Sequence, residues 1–150
     1  MRLFLFGLLL LWMISPEPLR TEETIAVVTS ASFPLKEALS NEELGRIYRR
    51  KKLFWESGEK IIPVNLPVAH PLRRRFSGLV LGLLPEEMEA YWNEQYFHGI
   101  SPPYVLASEE GVLQFVATTP GAIGYVNAAA VNERIHVLLY LPLAVADKLP

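Results

Sequence analysis

Cysteine is absent from the 150-residue chain, which removes disulfides, thiolate nucleophiles and cysteine-ligated zinc together. That absence is compatible with an oxidising compartment without identifying one. Histidine is sparse: His70, His98 and His136 are the three in the chain, and no two stand at the i, i+4 spacing of a helical metal pair. Neither a Gly-x-Ser-x-Gly elbow nor a phosphate-loop pattern occurs. These gaps argue against an enzyme, a bound metal and a cofactor. Basic residues are not in excess either. The chain carries 14 Lys+Arg against 16 Asp+Glu, a formal charge of −2, which argues against nucleic acid as a partner because phosphate neutralisation needs a basic face. Glu86, Glu87 and Glu89 resemble paired catalytic carboxylates, but acids in a first helical turn serve the helix dipole.

Hydrophobic residues make up 51% of the chain and charged residues 20%, with a mean hydropathy of +0.22, so wholesale disorder is excluded. The length supports one domain. Arg2 precedes an apolar run from Leu3 to Ile14, shorter than the roughly 20 residues of a membrane-spanning helix. A positive start, a short apolar stretch and then Pro16 and Pro18 form the pattern of a secretory signal peptide. No Ala-x-Ala cleavage site stands near Ser15 to Thr21, so an uncleaved N-terminal anchor is the alternative, and a buried core helix a third reading. The expected division is residues 1–20 as leader or anchor and 21–150 as the domain. Periplasmic export is the expected location, with membrane contact only through an uncleaved leader.

From residue 25 onward, short strands alternate with amphipathic helices. Ile25-Ala-Val-Val-Thr is a β-branched run of strand length. Ser40-x-x-Glu43 is a capping-box signature, followed by Leu44, Ile47 and Tyr48 at helical spacing. The basic run Arg49 to Lys52 closes that helix, where cations favour the negative end of the dipole; a solvated helix end is the plain reading. Lys60 to Asn65 predicts a second strand. After the proline-rich loop Leu66 to Pro71, a helix carries Leu72, Phe76, Leu79, Val80 and Leu83, and Pro71 suits its first turn. Another helix starts at Leu84-Pro85-Glu86-Glu87, with Tyr91, Trp92, Tyr96 and Phe97 read as core, or alternatively as a partner or ligand platform. His98 to Pro103 is a loop. Ser108-Glu109-Glu110 caps a further helix with Val112, Phe115 and Val116 on one face, and strands follow at Ala122–Val126 and Ile135–Leu141. The fold class is therefore α/β, a mixed sheet flanked by helices.

Three segments carry a resemblance. The first is Leu39-Ser-x-Glu-Glu-Leu-x-x-Ile-Tyr-x-x-Lys-Lys-x-x-Trp55, leading into Gly58-x-x-Ile-Ile-Pro-Val-Asn65. The second is Tyr91-Trp92 ahead of the Gly99 loop. The third is the helix from Val112 followed by Thr119-Pro-Gly-Ala-Ile-Gly-Tyr-Val126. In order and spacing they resemble the phosphate-binding, PstS-like branch of the periplasmic solute-binding proteins of ABC transporters. Gly121 can adopt positive φ after the helix, and Gly124 permits close approach to the strand, so the third motif marks fold.

The resemblance implies one lobe of a type II periplasmic binding protein, hence at most half of an oxyanion clamp built from backbone amides and hydroxyls at helix N-termini. Relatives carry Arg and then Asp-Gly-Ser-Gly-Thr ahead of the helix with the Phe. Here the stretch is Asn65-Leu-Pro-Val-Ala-His-Pro-Leu-Arg-Arg-Arg-Phe76. Phe76 remains, whereas Pro67 and Pro71 remove two amide donors. The candidate ligand residues are Asn65, His70, Arg73 and Tyr125. Arg73 is preferred among Arg73, Arg74 and Arg75 for its nearness to the helix start, and could grip an oxyanion bidentately. His70 as a plain loop residue and Tyr125 as core packing are the alternatives. The expected function is an exported, non-catalytic solute-binding-like protein meeting inorganic phosphate or another oxyanion at a degenerate loop. The alternative is a ligand-free interaction or sensory module contacting an envelope or transporter partner. A third reading has two copies completing a shared cleft.

Overall fold

The computed structural model describes residues 24–33 and 39–141; the expected leader or anchor at 1–20 lies outside them. Five strands form one sheet: β1 (Ile25–Ser30), β2 (Ile62–Asn65), β3 (Tyr104–Val105), β4 (Ala122–Asn127) and β5 (Ile135–Leu141), in the order β3-β2-β4-β1-β5. β2 runs parallel to β3 and β4, whereas β1 is antiparallel to β4 and β5. The sheet is mixed, as its sequence pattern predicts.

Among the described residues four α-helices accompany it: α1 (Asn41–Tyr48), α2 (Pro71–Leu81), α3 (Glu89–Phe97) and α4 (Glu109–Thr118). Their starts are chemically encoded. Ser40 and Glu43 form a reciprocal capping box on α1, and Ser108 accepts the Gly111 N–H on α4, so amides otherwise left unpaired gain acceptors. The Lys52 ammonium and the Ser40 N–H hold the Glu43 carboxyl below its ordinary range. The basic run after α1 is more than a solvated end: Arg49 Nη2 donates to Leu81 O at 2.9 Å and Lys52 Nζ to Glu43 at 3.2 Å.

The layers follow from β4. Successive side chains of a strand point to opposite faces. Gly124 faces α4: an added Cβ would lie 2.6 Å from Val112 Cγ1 and 3.2 Å from Val116 Cγ2. The neighbouring Tyr125 faces the other way, stacking on Phe76 of α2 at 3.8 Å with an interplanar angle of 5°. Tyr48 of α1 meets the Phe76 ring edge-on at 4.7 Å. Helices therefore cover both faces, and every residue of β1 is buried, as a continuous apolar run in a sandwiched strand should be.

Three expectations need correction. Leu79 and Leu83 do not join the core face of α2; both are exposed, Leu79 because the buried stripe runs through Leu72, Phe76 and Val80, and Leu83 because Gly82 ends the helix in the left-handed conformation before it. The aromatic run on α3 is not core: α3 has no buried residue, and Tyr96 and Phe97 are 73% and 86% exposed. The Tyr91 hydroxyl attaches it to the end of α1, donating to Arg49 O at 2.7 Å. Finally, β3 follows the expected loop at 98–103 unannounced, since two exposed residues carry no periodic signal.

Candidate functional site

Because β2, β3 and β4 are parallel, Asn65, Val105 and Asn127 end at one edge of the sheet, and the chain passes from the first two strands into the N-termini of α2 and α4. Crevices outside the carboxyl ends of strands are where open α/β sheets hold ligands. Helix N-termini add unpaired amides and a positive dipole end.

The four sequence candidates all fall at this edge. Three of them join one hydrogen-bonded knot around the Leu66 peptide. Tyr125 Oη donates to Asn65 Oδ1 at 3.0 Å and accepts the Leu66 N–H at 3.3 Å. Arg73 Nη1 donates to Leu66 O at 2.9 Å. Asn65 O in turn accepts the Leu106 N–H at 2.8 Å, tying the loop to β3. Asn65 and Tyr125 are buried. Burial pushes the Tyr125 phenol far above its ordinary range, and that of Tyr48 as well, so both remain protonated donors. Tyr48 Oη uses its proton on Val64 O at 3.0 Å.

His70 lies apart from the knot and is not a free loop residue. It is the N-cap of α2, and its Nδ1 accepts the Leu72 N–H at 3.1 Å. An imidazole thereby takes a first-turn amide that an anion would otherwise use. Arg74 is drawn away to Glu86 by a bidentate pair, both contacts 2.9 Å.

Beside His70 lies a hollow of about 320 Å³ walled by His70, Leu72, Arg75, Glu109 and Asn127. Glu109 and Asn127 were not singled out from sequence, because Glu109 reads as an ordinary first-turn acid and Asn127 as a strand end. Glu109 Oε1 accepts the Asn127 N–H at 2.6 Å, so a carboxylate of the protein already holds the amide of a residue that lines this hollow. The arrangement can present Arg75 and the imidazole to an anion, against the charge of Glu109. Among the described residues no cluster of three His, Asp or Glu could hold a metal ion.

The knot has a measurable worth. In Tyr125→Phe the ring stacking survives but the buried Leu66 N–H loses its acceptor. Leaving such a group unpaired costs about 1–3 kcal/mol. A lowered urea midpoint at unchanged denaturant dependence is expected, together with faster hydrogen exchange of the Leu66 amide. An unchanged midpoint would mean that the hydroxyl is dispensable.

The same arrangement of sheet and helices occurs in solved binding proteins. A Clostridium perfringens protein with bound phosphate, named for the substrate-binding component of a phosphate ABC transporter, superposes with a TM-score of 0.62 at 20% identity, over 77% of this chain and 44% of that one. An ABC-type phosphate transport receptor from Vibrio cholerae gives 0.62 at 18% identity, over 77% and 45%. PstS from Borrelia burgdorferi gives 0.53 at 18% identity, over 71% and 42%. The chain shares the fold of part of these proteins. The match spans less than half the length of these receptors, as the resemblance of the three segments to one lobe implies. No family model and no curated protein sequence matches the chain. Phe76, Gly124 and Tyr125 are packing residues here, and the loop between β2 and α2 commits its Leu66 and Leu72 amides to side chains of the protein.

Proposed function

We propose that the chain is an exported, non-catalytic solute-binding-type protein whose oxyanion grip is attenuated. Residues 1–20 act as leader or anchor, and 21–150 form the binding-protein-like domain in the periplasm. The observation that carries the reading is the commitment of donors at the carboxyl edge of the sheet: the Leu66, Leu72 and Asn127 amides bond to Tyr125 Oη, His70 Nδ1 and Glu109 Oε1. An arriving oxyanion must displace these acceptors or do without the amides, and either route forfeits the charge-assisted bonds that make such sites tight. In this proposal inorganic phosphate or a similar oxyanion meets the α2 start weakly, through His70 and the Arg73–Arg75 turn. Asn65 and Tyr125 hold the loop from beneath. Phosphate is carried over from what the similar structures are named for, and an ABC transporter as partner likewise.

Glu109 is the decisive residue. In Glu109→Gln the amide oxygen can still accept the Asn127 N–H while the negative charge is gone. Calorimetric titration of the full chain with inorganic phosphate is expected to give roughly tenfold tighter binding in this variant, equivalent to about 1.4 kcal/mol. Equal or weaker binding than the parent chain refutes the assignment of Glu109 as the opposing charge. No saturable heat with phosphate or sulfate from either protein removes the solute-binding reading itself.

A second reading, a ligand-free interaction or sensory module for an envelope partner, is favoured by one observation. Tyr96 and Phe97 form an edge-on pair at 6.2 Å on a helix with no buried face, and exposed aromatics are enriched where proteins meet. Site-directed crosslinking from position 97 in intact cells distinguishes the two readings. A single specific adduct combined with silent phosphate titrations favours the module.

A further inference from the structure

At the opposite end of β2 from Asn65, roughly 10 Å away along the strand, lies a second hollow of about 210 Å³. Arg50, Lys60, Ile61, Ile62, Pro102 and Tyr104 are among the residues that wall it. Its chemistry differs from that of the His70 hollow: no carboxylate lines it.

Three observations converge on Arg50. Its backbone sits at φ +60, the one non-glycine residue with positive φ among the described residues, a conformation that costs energy unless its surroundings enforce it. Its Nη1 donates to Ile61 O at 3.3 Å, while its Nε is sealed from solvent with no hydrogen-bond partner. No acidic side chain pairs with it or with Lys60 among the described residues. A guanidinium offers five N–H donors; with one spent on Ile61 O and Nε shut off from solvent, the remaining Nη donors stand next to a cavity that also borders Lys60. Unpaired cations held beside a concave surface are the ordinary makings of an anion site.

The walls narrow the ligand class. Isoleucine, proline and tyrosine side chains favour a compact apolar body over a bare inorganic ion. At about 30 Å³ per water, the hollow has the volume of roughly seven waters, suited to a ring or short branched chain bearing one carboxylate. We infer that this hollow is a binding site for small apolar carboxylates, with Arg50 and Lys60 as the carboxylate contacts and Tyr104 and the prolines as the walls. It uses no residue of the β2–α2 loop and stands or falls independently of the oxyanion reading.

Benzoate is the probe. Titration of the full chain, followed through backbone amide resonances, is expected to shift Ile61, Ile62, Ser101 and Tyr104 along one saturable curve and to leave Leu66 and Leu72 unmoved. Neutral benzamide should bind at least tenfold more weakly, as should benzoate to Lys60→Gln, whose exposed side chain can change without disturbing the core. Arg50→Gln should weaken benzoate by at least as much; should that variant not fold, Lys60→Gln decides. Equal binding of benzoate and benzamide, inorganic phosphate binding here as tightly as benzoate, shifts confined to the Leu66–Leu72 end, or no saturable shift each overturn the assignment.

Discussion

Phe76→Ala is expected to lower the unfolding free energy by about 3–5 kcal/mol, the usual cost of emptying a buried aromatic position. Phe76 is 1% exposed and lies between the Tyr125 ring it stacks on and the Tyr48 ring that meets it edge-on. Aromatic pairs of this kind add about 0.5–1.5 kcal/mol beyond area burial, so both contacts push the loss toward the upper part of the range. A small domain has only about 5–15 kcal/mol in total, and the variant should be partly unfolded at moderate urea. Leu79→Ala on the same helix is the matched control: Leu79 is 38% exposed and should cost well under half as much. The consequence reaches the candidate site, because Tyr125 carries the hydroxyl that holds Asn65 and Leu66. Losing the ring it rests on should loosen the β2–α2 loop before the rest of the sheet opens, visible as exchange of the Leu66 amide at denaturant concentrations where β1 amides remain protected. Equal denaturation midpoints for Phe76→Ala and Leu79→Ala would show that the aromatic stack is not the joint between helix and sheet described here.

Gly121→Ala should be comparably severe for a different reason. Gly121 has φ +78, where an L side chain costs about 1–2 kcal/mol. An added Cβ would also overlap the Lys60 carbonyl oxygen, a backbone atom that cannot swing aside. Overpacking of this sort costs typically about 1–3 kcal/mol, giving about 2–5 kcal/mol together. The carbonyl of the same residue accepts two bonds, from the Ile62 N–H at 3.0 Å and from Trp55 Nε1 at 3.1 Å, so any shift that relieves the clash disturbs the start of β2. Gly58→Ala isolates the conformational part: its φ is +86 and nothing lies within 4 Å of an added Cβ. Urea unfolding of the two variants should therefore separate by at least 1 kcal/mol, with Gly121→Ala the weaker. Indistinguishable variants would mean that the backbone approach at Lys60 relaxes freely.

Local chemistry made much of this protein legible before any coordinates. The Ser40–Glu43 box, the proline start of α2 and the apolar run of β1 are signals whose cause lies within a few residues, and each became the expected element. Gly121 and Gly124 announced a positive φ and a close approach, and both occur. Asn65, His70, Arg73 and Tyr125 share one edge because β2 and β4 run parallel, a direction that no local pattern of residues announces. What local chemistry could not give was the traffic of hydrogen bonds at that edge. Whether Leu66 N–H stays open depends on a tyrosine 59 positions away, and whether Asn127 N–H does depends on a glutamate 18 positions earlier. The exposure of Tyr96 and Phe97 was equally hidden, because an aromatic has the same composition whether or not another element packs over it. Local sequence pattern prescribes most of the helices and strands; the order of strands in the sheet and the partner of each buried donor are settled by distances between distant segments, and these exist only once the chain has closed on itself.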